Sequence, residues 1–144
     1  MSLLVVDASI AIKWVIDESG SNLAIALRAG ARFVAPDLLN AELGNILYKK
    51  VVRGEVQPDD AEMLAILLTR IDIDLRPTKS LLPAAVRLAV KIEHPTYDCF
   101  YLALALSEGC QFVTADAKLL HKLDSNQRAG LRRSCLSLKE AATR

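Results

Sequence analysis

Asp7, Glu42, Asp98 and Asp116 are the residues of this chain whose types and surroundings point most directly to chemistry. Asp7 follows the apolar run Leu3-Leu4-Val5-Val6, and Asp116 follows Phe112-Val113-Thr114-Ala115. Glu42 stands between Leu39 and Leu43, with Asn45 one turn further along the same helical face. Asp98 interrupts an otherwise apolar helical pattern that runs on to Ala105. Carboxylates in such settings are costly unless they are capped, paired or bound to a cation. Singly, each has a structural explanation. Asp7 and Asp116 could N-cap the helices that follow them. Asp98 could answer the positive end of its helix, and Glu42 could be a solvated helix residue.

Jointly, the four acids point to a shared pocket. Two unit charges about 4 Å apart repel by about 4 kcal/mol at an effective dielectric near 20. Either one acid then keeps its proton or a cation sits between them. An oxygen-only donor set suits Mg2+ or Mn2+ better than zinc or copper. The matching chemistry is metal-assisted hydrolysis of a phosphodiester, which requires no histidine.

The elements that must position these acids alternate between strand and helix. Leu3 to Val6 is a short run suited to a strand buried on both faces. A helical pattern through Ile10, Trp14 and Val15 ends near Glu18-Ser19-Gly20. A helix from Ser21 to Ala29 follows, with Leu23, Ile25, Ala26 and Leu27 as its apolar positions. Arg32 to Ala35 reads as a strand closed by Pro36, and Asp37 to Arg53 as a long helix with Leu39, Leu43, Ile46 and Leu47 on one side. Pro58, Asp59 and Asp60 open another helix, whose core side is Met63, Leu64, Ile66, Leu67 and Leu68. Ile71 to Leu75 alternates like an edge strand, and Thr78 to Ile92 is helical with Pro83 in its first turn. Thr96 suits the N-cap of a helix from Tyr97 to Glu108, which Gly109 stops. Gln111 to Thr114 is a strand, Asp116 to Leu123 a helix, and Arg133 to Leu136 a last strand. The pattern predicts an α/β fold of three layers, α/β/α, with a mostly parallel twisted sheet of four to five short strands covered by helices on both faces. Ligands of such sheets bind beyond the carboxyl ends of the strands, where Asp7 and Asp116 fall.

The 144 residues fit a single domain, 1–144, with 52% hydrophobic and 24% charged residues. A net charge of +1 neither demands nor excludes a nucleic-acid partner. Cys99, Cys110 and Cys135 form no close pair, which points to reduced thiols. The N-terminal apolar run is broken by Asp7 and Lys13, unlike a signal peptide or membrane span, so a cytoplasmic protein is expected. Trp14 is read first as core, with a partner-facing role as the alternative. Lys49, Lys50 and Arg53, and separately Arg128, Arg132 and Arg133, either serve local structure or contact nucleic-acid phosphates. Tyr97 and Tyr101 are read as core or dimer contacts, and His121 as a surface residue.

Four stretches in order resemble the PIN domain family. They are Val5-Val6-Asp7-Ala8-Ser9, Asn40-Ala41-Glu42-Leu43, Tyr97-Asp98-Cys99-Phe100-Tyr101-Leu102-Ala103-Leu104-Ala105 and Val113-Thr114-Ala115-Asp116. More narrowly, the chain resembles VapC-type toxins of toxin–antitoxin pairs. The resemblance implies an endoribonuclease dependent on Mg2+ or Mn2+, with Asp7, Glu42, Asp98 and Asp116 as the catalytic acids and metal ligands. It implies Ser9 and Thr114 as supporting groups that orient the carboxylates or a water at the cation. It further implies RNA substrates such as transfer or ribosomal RNA, a VapB-like antitoxin, a homodimer and no membrane association. Cys99 and Phe100 are bulkier than the residues often found after the helix aspartate, and His94-Pro95-Thr96 is an individual lead-in. Two alternatives stand beside this reading: a receiver-like signalling domain, and a catalytically silent interaction protein of the same fold. The receiver lacks its phospho-acceptor here, because Asp59 and Asp60 open a helix behind Pro58.

Overall fold

The computed structural model describes residues 1–125 and 129–143. Its centre is a five-stranded sheet in the order β3-β2-β1-β4-β5, parallel at every pairing. The strands are β1 (Ser2–Val6), β2 (Ala31–Pro36), β3 (Ile73–Arg76), β4 (Gln111–Thr114) and β5 (Cys135–Ser137). Consecutive residues of a strand face opposite sides of a sheet. Leu4, Val5 and Val6 are all buried, as are Phe112, Val113 and Thr114. Both faces of the central strands are therefore covered, which explains their unbroken apolar sequence. Val5 lies against Val34 on one side and Phe112 on the other.

The helices connecting these strands are α1 (Ala8–Ala11), α2 (Ser21–Arg28), α3 (Leu38–Val52), α4 (Pro58–Thr69), α5 (Leu82–Ile92), α6 (Thr96–Glu108), α7 (Ala117–Leu123), α8 (Ala129–Arg132) and α9 (Leu138–Ala142). α6 is the core helix: Cys99 and every residue from Tyr101 to Ala105 are buried. Gly109 ends it at a φ of 66°, a left-handed conformation that favours glycine. α3 buries Leu39, Leu43 and Leu47 at the expected spacing. Strand order matters for function. The chain runs outward from β1 through β2 to β3, then crosses back to place β4 on β1's other side. The crevice at the carboxyl ends of β1 and β4 is thus the switch point where ligands of open α/β sheets bind. A receiver-type sheet has the order 2-1-3-4-5, so the strand order here removes the receiver alternative.

Several expectations need correction. The helix after Asp7 is short and passes into a 3-10 turn at Ile12–Trp14, instead of continuing to Glu18. The Ser21 hydroxyl holds the following loop, donating to the Ile16 carbonyl and accepting from the Glu18 N–H at 2.9 Å each. On α2 the inward residues are Ala24 and Leu27, while Leu23 and Ile25 face solvent. On α4 only Leu68 is fully buried, and Met63, Ile66 and Leu67 are exposed. Thr96 is the first residue of α6; Pro95 takes the cap position, with no side-chain cap bond. The last strand begins at Cys135, two residues later than predicted, because Arg133 and Ser134 form the turn that closes α8, with the Ser134 N–H on the Leu131 carbonyl at 2.9 Å. α9 starts with a capping box between Ser137 and Glu140.

Trp14 is a packing residue. Its indole N–H donates to the Ala24 carbonyl at 2.7 Å, and its ring lies 4.9 Å from that of Phe33. This burial replaces the partner-facing alternative. Lys50 pairs with Glu18 at 2.8 Å alongside Lys13, which ties the end of α3 to the loop after the 3-10 turn. Arg132 pairs with Asp124 and Glu140 and donates to the Cys135 carbonyl. Both are committed to local structure. Lys49, Arg53 and Arg133 are exposed. Arg128 lies outside the described residues.

A candidate metal centre at the carboxyl edge of the sheet

Asp7 leaves the end of β1 with a carboxylate only 6% exposed. It makes no side-chain cap to α1. Instead its two oxygens each accept a hydroxyl at 2.5 Å, Oδ1 from Ser9 and Oδ2 from Thr114 at the end of β4. Each hydroxyl also accepts a backbone N–H at 3.0 Å, Ser9 from Ala115 and Thr114 from Asp116. Two short relays therefore run from the β4–α7 turn into one carboxylate, each bond polarising the next. Burial pushes the Asp7 carboxyl up to about 7; the Ser9 and Thr114 hydroxyls oppose this, and the charges of Asp98 and Glu42 add to it.

The other three acids come from three further segments. Glu42, half-buried on α3, accepts the hydroxyl of Tyr101 from α6. Burial raises its pKa, against the Tyr101 bond and with the charge of Asp98. Tyr101 is itself wholly buried, stacked on Phe112 with ring centroids 5.4 Å apart. Its hydroxyl is held above the usual tyrosine range by burial and by the Glu42 charge. Asp98, in the first turn of α6, is raised by burial and by Asp116, and lowered by a bond to His94. That bond joins His94 Nε2 to Asp98 Oδ2 at 2.6 Å. Asp116 caps α7 as its spacing suggested, accepting the Lys118 N–H at 2.9 Å.

Asp7, Ser9, Glu42, Asn45, Asp98 and Asp116 line one cavity of about 230 Å3, completed by Ala8 and Ile46. Among the described residues of its lining there is no lysine or arginine. The four carboxylates face one space, and oxygen donors of this kind suit a hard divalent ion. Among the described residues, the ligand atoms close enough together to share one ion are those of His94, Asp98 and Asp116, within 4.8 Å of one another; Asp7 and Glu42 line the same cavity.

Two contributors escaped the sequence reading. The sequence reads Tyr101 as a core or dimer contact; it is buried, and its hydroxyl also holds Glu42. The sequence reads His94 only as part of an individual lead-in to the Asp98 helix. The four-residue spacing from His94 to Asp98 was a usable signal, hidden because Pro95 interrupts the helical pattern between them.

The family model for the PIN domain matches residues 4–125. The crystal structure of PAE2754 from Pyrobaculum aerophilum is similar to this fold, with a TM-score of 0.66 at 21% sequence identity. The match covers 99% of this chain and 88% of that one, and at this identity it is a likeness of fold. None of the curated proteins matches the chain.

Proposed function

Because this chain belongs to the PIN domain family, we propose that it is a metal-dependent endoribonuclease and the toxin of a type II toxin–antitoxin module, of the VapC kind that its motifs resemble. The observation that carries this reading is the convergence of Asp7, Glu42, Asp98 and Asp116, from four separate stretches of chain, on one cavity. At about 30 Å3 per water, that cavity has room for a hydrated cation and the oxygens of one phosphodiester. Mg2+ or Mn2+ bound there supplies charge neutralisation at the phosphoryl oxygens and a more acidic water.

The protein's own part is orientation and charge. Ser9 and Thr114 fix both oxygens of Asp7, so that carboxylate has one pose. Tyr101 does the same for Glu42 from the core side. Asp116 is held by its cap bond at the start of α7. These three carboxylates are held before a cation and substrate arrive, which is where preorganised electrostatics gains its advantage.

RNA is the proposed substrate, of the structured transfer or ribosomal kind, in the cytoplasm. A VapB-like antitoxin and a second copy of the chain are the proposed partners. Leu82, Val86 and Val90 stand exposed at four-residue spacing along α5, an apolar stripe suited to protein contact. Among the described residues, no helix is long and apolar enough to cross a membrane. The test is RNA cleavage with Mg2+ or Mn2+, with and without chelator, beside Asp98→Asn. We expect chelator to stop cleavage and the variant to lose about 10²–10³-fold in rate. Equal cleavage by both proteins would remove the proposed site. No cleavage and no cation uptake by the wild type would favour the silent interaction protein.

A further inference from the structure

The lead-in to α6 brings a histidine to the acidic site by an unusual route. α5 ends at Glu93, which sits in the left-handed region at a φ of 56°. The His94 N–H then closes on the Ala89 carbonyl at 3.1 Å, and Pro95 opens α6. The chain reverses, and His94 lands against the first turn of the helix that carries Asp98. Its side chain is 8% exposed, and Nε2 lies 2.6 Å from Asp98 Oδ2.

Two roles are open to such a histidine: cation ligand or carboxylate holder. The geometry separates them. Nε2 is spent on Oδ2 at 2.6 Å. Two donors held side by side on one cation at about 2.0–2.1 Å stay about 3 Å apart, wider than this contact. His94 is also absent from the lining of the cavity, whereas Asp98 is part of it. We propose that His94 is a positioning residue, donating Nε2–H to Oδ2 so that Asp98 meets the cation through its other oxygen. This rests on the metal reading above. Terminal torsions of aspartate are broad, and among the described residues no hydroxyl bonds Asp98 as Ser9 and Thr114 bond Asp7. His94 therefore does for Asp98 what Ser9 and Thr114 do for Asp7.

The test is Mn2+ binding by calorimetry on the full chain, without reference to cleavage. We expect His94→Ala to weaken Mn2+ binding about 10–100-fold, the usual loss when the partner of a metal ligand is removed. His94→Gln keeps an N–H donor but has no ring lone pair, and should recover most of that loss. Unchanged binding by His94→Ala would overturn the proposal. So would a His94→Gln variant as weak as His94→Ala, which is the mark of a nitrogen ligand. A wild type that takes up no Mn2+ would sink the metal reading itself, and this proposal with it. If His94→Ala fails to fold, the imidazole nitrogen-15 spectrum of the metal-free wild type decides. We expect Nε2 protonated, with a resonance that moves in Asp98→Ala and stays in Asp7→Asn; an unprotonated Nε2 would overturn the assignment.

Discussion

Asp7 shows how a single residue serves the site at a cost to the fold. Its carboxyl is pushed up to about 7 from an ordinary 3.8, first by burial and then by Asp98 and Glu42, against two hydroxyl bonds. The folded pKa lies above the unfolded one. Between those values the native state holds a proton that the unfolded chain has already lost, so stability falls as pH rises. This contribution is fully present below the unfolded value and is lost as pH passes the folded value near 7. Thermal melts of metal-free protein should therefore fall in midpoint from about pH 4 to about pH 7. Asp7→Asn should flatten that slope and melt several degrees higher at the alkaline end, at roughly 2–4 °C per kcal/mol. Parallel pH curves for the two proteins would show that Asp7 carries no such strain. A residual slope is expected in the variant, because Glu42 and Asp98 are raised in the same direction. Cation binding must displace the same proton, so Mn2+ affinity should climb with pH over this range.

Among the elements, α6 places more of the site than any other. It supplies Asp98, the Tyr101 hydroxyl for Glu42, and the wholly buried wall between α5 and the sheet. Its end depends on Gly109. A Cβ built there would meet no atom within 4 Å, so the only obstacle to a side chain is the left-handed backbone. Gly109→Ala should cost about 1–2 kcal/mol of stability, measured by denaturant unfolding, and leave cation binding intact. A cost near zero would mean that the turn relaxes to another conformation. The same scale explains what the sequence could disclose. Strands such as Val5-Val6 and Phe112-Val113 were legible because burial on both faces demands unbroken apolar residues. α6 was legible because its apolar surface runs all round. α2 and α4 were misread because they also carry apolar residues on their outer faces, and periodicity alone cannot tell an inward stripe from an outward one. The three-residue β5 and five-residue α9 were too short for periodicity to bound or reveal. The link between His94 and Asp98 was lost because it depends on a reversal at Glu93 that local propensity does not favour.

At the level of the whole molecule, one topological fact assembles the site. Crossing back from β3 to β4 sets the ends of β1 and β4 side by side, and Thr114 then bonds Asp7 across 107 residues of chain. α3 and α6 each project one more acid over the same crevice. Among the described residues lining the cavity none is a lysine or arginine, and Asp98 and Asp116, with ligand atoms within 4.8 Å of each other, repel when both are charged. The fold therefore concentrates negative charge where a divalent ion would relieve it. The sharpest test is an anomalous-difference map from crystals of the full chain soaked in Mn2+. We expect density inside the cavity, with carboxylate oxygens of the Asp7, Glu42, Asp98 and Asp116 set at about 2.0–2.3 Å. A well-soaked crystal with no peak there, or with Mn2+ bound only at other surface acids, would contradict it.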